Sequence, residues 1–170
     1  APAATATSVI GLLTILLLGF IFSGPAWSAL LLYLNLILGS FVLGGAFMAM
    51  LWGHWYLTSG NLPKEPMVSM SFFTLLCLIS HSIIVITSSL LPASSPPENE
   101  ISLAVLHMEL TFWLRVGVGL IFPIVTTWLA LEAAKIGGMM STTGLLYLAL
   151  GALLGGETLG RALFFITAVV

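Results

Sequence analysis

The sequence predicts an all-α protein, an integral membrane bundle of five transmembrane helices. Only 6% of its 170 residues are Asp, Glu, Lys or Arg, and 59% are hydrophobic, whereas a soluble domain carries roughly 25% charged residues. The mean hydropathy is +1.18. The apolar residues form five runs, each long enough to cross a hydrocarbon core of ~30 Å as a helix. These runs organise residues 1–170 as a single transmembrane domain and leave no room for a soluble one.

The five predicted helices follow one another with mostly short connections. They cover residues 5–22, 26–57, 66–91, 101–134 and 141–170. The first has the length of a signal-peptide core, but no basic segment precedes it, so we interpret it as a retained helix. The fourth contains Pro123. A kink is expected there, because proline lacks the N–H of the helical hydrogen bond.

The loops predict the orientation of the bundle. Lys64 and Lys135 lie in two loops that a five-helix hairpin series places on the same side. The opposite loop, residues 92–102, carries glutamates and prolines but no Lys or Arg. By the positive-inside rule the two lysines are cytoplasmic. The N-terminus is then predicted to be cytoplasmic and the C-terminus to lie outside.

Several classes of function are disfavoured by what the sequence lacks. It has no basic cluster of the kind that binds nucleic acid. It contains no phosphate-binding glycine loop and no zinc-protease motif. The single cysteine, Cys77, cannot form an internal disulfide and is predicted to be a buried, inert thiol.

Ionisable residues inside the apolar runs are the main functional signal. They are His81, His107, Glu109, Arg115, Glu157 and Arg161. A charge in hydrocarbon costs ~2.5–3.5 kcal/mol or more, so such residues usually mark a functional site. Counted at 1.5 Å per residue, all of them except Arg115 fall in the outer half of the bilayer, and Arg115 falls near its midplane. Because they come from three consecutive antiparallel helices, they are predicted to converge on one site.

The last helix combines an ion pair with small residues. Glu157 and Arg161 are spaced i, i+4 and share a helix face. They are interpreted either as a structural ion pair or as part of a binding site. Gly155, Gly156 and Gly160 thin the same helix. Because glycines have no side chains, a neighbouring helix can pack closely against this face, or a flat ligand can approach it.

The histidines and Arg115 leave several alternatives open. His81 and His107 are candidate axial ligands of a b-type haem, candidate quinone contacts, or packing histidines. The guanidinium of Arg115 suits a quinone oxygen or a haem propionate, and equally a buried ion pair. His54 is an interfacial histidine, a haem or chlorophyll ligand, or a contact for a cytoplasmic partner.

The last two helices also carry a family resemblance. The final helix contains Gly156, Glu157, Gly160 and Arg161 followed by two phenylalanines, and the preceding one reads FWLRVGVGLIFPIVTTWLA, with Arg115 as its lone basic residue. This resembles the closing helices of the membrane-anchor subunits of dimethyl sulfoxide reductase and polysulfide reductase type complexes. The resemblance covers residues 101–170, and such anchors usually have more helices than the five predicted here. It implies a quinol-oxidising or quinone-reducing subunit with its pocket toward the outer face.

The expected function follows from the depth argument and the resemblance together. We expect a membrane subunit of a bacterial electron-transfer complex in the inner (plasma) membrane. It would bind menaquinone or ubiquinone at His81, His107, Arg115, Glu157 and Arg161, and pass electrons to a partner redox subunit. The alternative is a non-catalytic accessory subunit of a photosynthetic or respiratory complex. Such a subunit would hold haem, (bacterio)chlorophyll or lipid and brace its neighbours.

Overall fold

The computed structural model describes residues 2–22, 29–59, 62–90 and 110–167, and this part of the chain is helical and contains no strand. Its helices are α1 (Pro2–Phe22), α2 (Ala29–Thr58), α3 (Glu65–Leu90), α4 (Leu110–Lys135) and α5 (Met139–Thr167). Each of these five contains a segment long and apolar enough to cross a membrane. The predicted all-α membrane bundle is therefore confirmed, with helix ends within a few residues of those expected wherever they can be compared.

Four of the helices form a closed bundle, and α1 lies outside it. Helix α2 packs on α3, α3 on α4, α4 on α5, and α5 returns to α2, while α1 packs mainly on α2. Short connections make α2 and α3, and also α4 and α5, antiparallel neighbours. Between α4 and α5 the chain turns through Gly137, whose φ of 82° is a conformation that glycine adopts without strain.

The buried positions of three bundle helices repeat with alternating spacings of three and four residues. One such series in each helix runs through 32, 35, 39, 42, 46, 49, 53 and 56 in α2; 67, 71, 74, 78, 81, 85 and 88 in α3; and 142, 146, 149, 153, 156, 160 and 163 in α5, and further buried residues, including Glu157, flank these series. This spacing is typical of helices that pack at small crossing angles in bundles. Every residue in these series therefore faces the bundle axis.

Helix α4 departs from α-helical geometry just before its proline. Residues Arg115–Ile121 form a π-helix, in which the N–H of Phe122 donates to the carbonyl of Gly117, five residues back. Pro123 has no N–H to donate and its ring would crowd the preceding turn. The wider π turn accommodates this defect. The sequence predicted a kink at Pro123, and the structure places the π segment immediately before it.

The two lysines define one end of the bundle. The Lys64 ammonium donates to the carbonyl of Lys135 at 3.1 Å, and Lys135 pairs with Glu132 at 2.6 Å on the exposed surface. The hydroxyl of Tyr56 donates to the carbonyl of Pro63 and so holds the α2–α3 connection against the end of α2. The prediction that both lysine loops share one side of the bundle is confirmed. We call this the lysine end; the opposite end, where α2 begins and α3 and α5 end, is the site end.

Candidate functional site

His81 stands at the centre of the polar cluster inside the bundle. It occupies an axial position of α3 and is fully buried, with 0% of its surface exposed. Its Nδ1 lies 3.5 Å from Glu157 Oε1, yet neither ring nitrogen makes a hydrogen bond within the described part of the chain. A buried polar atom without a partner costs free energy. A buried group of this kind calls for an explanation, such as an ordered water, a bound ligand or a role in proton transfer.

Glu157 joins His81 to a cation on its own helix. While Oε1 faces the imidazole, Oε2 lies 3.7 Å from an η-nitrogen of Arg161. The Glu157 side chain is 10% exposed and that of Arg161 is 40% exposed. The carboxylate is therefore inside the bundle, and the arginine extends from it toward the surface at the site end. The i, i+4 pair predicted from the sequence is present.

Gly39 of α2 forms the wall opposite this pair. A Cβ at residue 39 would lie 3.3 Å from Glu157 Oε2, 3.5 Å from Arg161 Nη2 and 3.8 Å from His81 Nε2. The absence of a side chain at Gly39 gives the three polar groups their room. Asn35 lies one turn nearer the site end on the same face and is also buried, with 2% exposure.

Arg115 reaches the same level from α4 along a seam of glycines. It is buried, its Nη1 donates to the carbonyl of Gly156 at 3.3 Å, and a Cβ at Gly160 would overlap its guanidinium. One turn away, a Cβ at Gly119 would stand 2.7 Å from the Cα of Gly156. Helices α4 and α5 thus touch backbone to backbone, and Arg115 fills the space above Gly160.

The structure brings four of the five predicted site residues together. His81, Arg115, Glu157 and Arg161 come from three helices and face one region of the interior. The fifth, His107, lies outside the described residues, as does Glu109, so the second haem ligand proposed from the sequence stays a prediction. The predicted convergence of His81, Arg115 and Glu157 is seen, while their role in binding a cofactor stays a prediction.

Two site-wall residues were missed by the sequence analysis. Gly39 carries no side chain and so gives no signal in a sequence. Asn35 does give one, because it is the only side-chain amide within the five predicted spans. A buried amide in an apolar helix is expensive without a partner, and this cost could have identified it.

A second pair of polar residues lies deeper in the bundle. Most helical Ser and Thr hydroxyls here donate back to the carbonyl four residues earlier, as Thr74 does to Met70. Ser71 and Thr127 are fully buried, and their hydroxyls make no hydrogen bond within the described residues. Nothing in the sequence distinguishes them from the hydroxyls that bond back.

His54 lies apart from the cluster, near the lysine end. It is exposed, and its Nδ1 stands 3.5 Å from the hydroxyl of Tyr147 on α5. Trp52, Trp55 and Tyr56 pack around the same turn of α2. Trp and Tyr side chains around a histidine are typical of a membrane interface. This is one of the three alternatives that the sequence left open.

The arrangement suits the movement of protons at a polar ligand. It offers a buried imidazole, a carboxylate as a second proton acceptor, and two guanidinium groups that stabilise negative charge. Among the described residues, no group of three or more His, Cys, Asp or Glu side chains is placed to hold a metal ion. No family model, no curated protein and no solved structure matches the chain.

Proposed function

We propose that the chain is a membrane subunit of a bacterial electron-transfer complex that binds quinone or quinol beside His81 and Glu157. The observation that carries the proposal is the buried imidazole of His81. Its two nitrogens have no hydrogen-bond partner in the described chain, and a carboxylate lies 3.5 Å away. A quinol hydroxyl donates to the unprotonated ring nitrogen or to a carboxylate, and the ring N–H donates to a quinone oxygen.

The charges around the imidazole support this assignment. Quinol oxidation releases two protons with two electrons, so the protein must offer two proton acceptors. His81 and Glu157 provide them within one contact distance. Arg161 lies 3.7 Å from the same carboxylate, and the guanidinium of Arg115 lies on the neighbouring helix against Gly156 and Gly160, so positive charge borders the site. In this proposal the electrons pass to a partner redox subunit, and the site end faces the outside of the plasma membrane.

A second function is favoured by the way Arg115 is used. Its guanidinium donates to a helix carbonyl and fills the space over Gly160, so it also fastens α4 to α5. This packing role of Arg115 is consistent with an accessory subunit that braces a photosynthetic or respiratory complex. His81 Nε2 could then serve as one axial ligand of a haem or (bacterio)chlorophyll. An absorption spectrum of the purified subunit separates the two functions, because haem and chlorophyll absorb visibly and quinone does not.

Quinone binding provides the direct test. The purified chain in lipid nanodiscs would be titrated with menaquinone and ubiquinone analogues while its tryptophan fluorescence is followed. We expect saturable binding that His81→Gln weakens by roughly ten-fold, since it removes the imidazole that hydrogen-bonds the headgroup. His54→Gln, the matched change at the exposed histidine, should bind as the unmodified chain does. The absence of saturable binding, or equal binding by both variants, would contradict the proposal.

A further inference from the structure

An apolar layer lies directly beneath the His81–Glu157 cluster, on its lysine-end side. Val42, Leu78 and Leu153 each stand three residues from Gly39, His81 and Gly156 respectively, which is ~4.5 Å along a helix. All three have 0% exposure. On α4, the buried Pro123 follows Gly119 by about one turn and completes the layer. Each bundle helix thus contributes one apolar residue.

Polar groups reappear on the far side of this layer. Ser71 and Thr127, whose buried hydroxyls are unpartnered within the described chain, lie seven and eight residues from Lys64 and Lys135. The Lys64 ammonium lies 3.1 Å from the Lys135 carbonyl. The two hydroxyls therefore stand at similar levels of adjacent helices. The residues at this level of α2 and α5 include Ala49 and Ala149, which are buried and small. Buried hydroxyls that lack a partner in the described chain and lie beside small residues are groups that internal water commonly satisfies.

On its other side the cluster is connected to the surface. The side chain of Arg161 is 40% exposed at the site end, and that of Glu157 is 10% exposed, against 1% for His81. Buried Asn35 and Ser82 continue the polar lining in this direction. Polar side chains therefore continue from the cluster toward one end of the bundle, and an apolar layer lies toward the other.

We propose that Val42, Leu78, Pro123 and Leu153 form a proton barrier, so that the His81–Glu157 site exchanges protons only with the site end, and that Ser71 and Thr127 hold water beyond the barrier. A dry apolar constriction blocks ions and proton-carrying water. The source of the protons rests on the proposed function; the barrier itself does not. It would ensure that protons released at the site leave on one side of the membrane.

The barrier is tested by proton flux in proteoliposomes loaded with a pH-sensitive dye, without quinone, under a potassium diffusion potential. The unmodified chain should be no leakier than protein-free liposomes. Leu153→Ser places a hydroxyl in the layer and should raise the flux roughly ten-fold or more by letting water enter. Its neighbour Leu154 is 55% exposed on the outer surface, so Leu154→Ser should leave the flux unchanged. Leu78→Ser and the exposed Leu76→Ser form a second matched pair.

Further variants show whether the flux follows the proposed route. Adding Glu157→Gln, or Ser71→Ala together with Thr127→Val, to Leu153→Ser should reduce the flux at least two-fold, because each removes a proton-carrying group on one side of the layer. Circular dichroism and elution volume confirm that each variant is folded. The proposal is overturned if the unmodified chain leaks, if folded Leu153→Ser and Leu78→Ser are both tight, or if the added changes leave the flux undiminished. Because no quinone is present, these outcomes are independent of quinone binding.

Discussion

Glu157 is the residue on which the polar cluster depends. One of its oxygens faces His81 and the other faces Arg161, so a single carboxylate balances groups on two helices. A lone charge inside hydrocarbon costs ~2.5–3.5 kcal/mol or more, and this pairing lowers that cost. The same carboxylate is placed to take a proton, which makes its structural and chemical roles separable by a change that preserves shape.

Glu157→Gln should leave assembly largely intact while slowing quinol oxidation. The amide fills the same space and still forms hydrogen bonds, but it cannot accept a proton at neutral pH. Loss of a general base typically lowers a rate by ~100-fold or more. Subunit recovery and quinol oxidation would be measured in the same membranes.

The control is Glu132→Gln, which removes the exposed carboxylate paired with Lys135 at the lysine end of α4. It should change neither recovery nor rate. Normal turnover in fully assembled Glu157→Gln membranes would remove Glu157 from the mechanism and favour the accessory function.

The predictability of the site differs from residue to residue. His81, Arg115, Glu157 and Arg161 could be predicted because an ionisable residue in an apolar span is conspicuous and its depth follows from helix rise. Gly39 could not, since its contribution is the space left by a missing side chain. Ser71 and Thr127 could not either, because only the folded packing decides which hydroxyls fail to bond back to the helix.

Helices α4 and α5 meet backbone to backbone, and the cause lies in both helices. Gly119 sits in the π segment of α4 and meets Gly156 of α5 through backbone atoms. Small residues allow such an approach between membrane helices. The sequence predicted both the disturbance near Pro123 and the thinning of α5. It did not predict a π-helix, because the way in which a helix absorbs a proline depends on the neighbour that it packs against.

Gly156→Ala should destabilise the bundle by about 1–3 kcal/mol, because the added methyl has no space against the backbone of α4. A Cβ there would overlap the Cα of Gly119, whereas a Cβ at the adjacent Gly155 meets nothing within 4 Å. Gly155→Ala should therefore stay within ~0.5 kcal/mol of the unmodified chain. Unfolding in mixed detergent micelles measures both. Equal stability of the two variants would show that the helices do not touch at Gly156.

For the whole molecule, composition was enough to predict the fold class, and the five apolar runs were enough to predict the number of helices. The bundle arrangement was not predictable, since each helix is apolar on all sides and lipid-facing residues resemble core residues. Phe72 is 57% exposed and Leu78 is fully buried, yet both are large and hydrophobic. The alternating spacing of three and four residues becomes visible only once burial is known.

The orientation of the bundle can be tested by labelling cysteines from each side of the membrane. In a Cys77→Ala background, Ser95→Cys should react with an impermeant maleimide added outside. Thr58→Cys, at the lysine end, should react only after the cytoplasmic face is opened, because positive loops stay inside. The reverse pattern would invert the orientation and place the site end toward the cytoplasm.

The central claim is that quinone binds inside the bundle beside His81 and Glu157. An experimental density map of the complex, purified with its native lipids and quinone, tests it most directly. We expect a quinone headgroup with one oxygen within hydrogen-bond distance of a His81 ring nitrogen or a Glu157 carboxylate oxygen. A map in which quinone occupies another surface, while protein side chains alone surround His81, would contradict it.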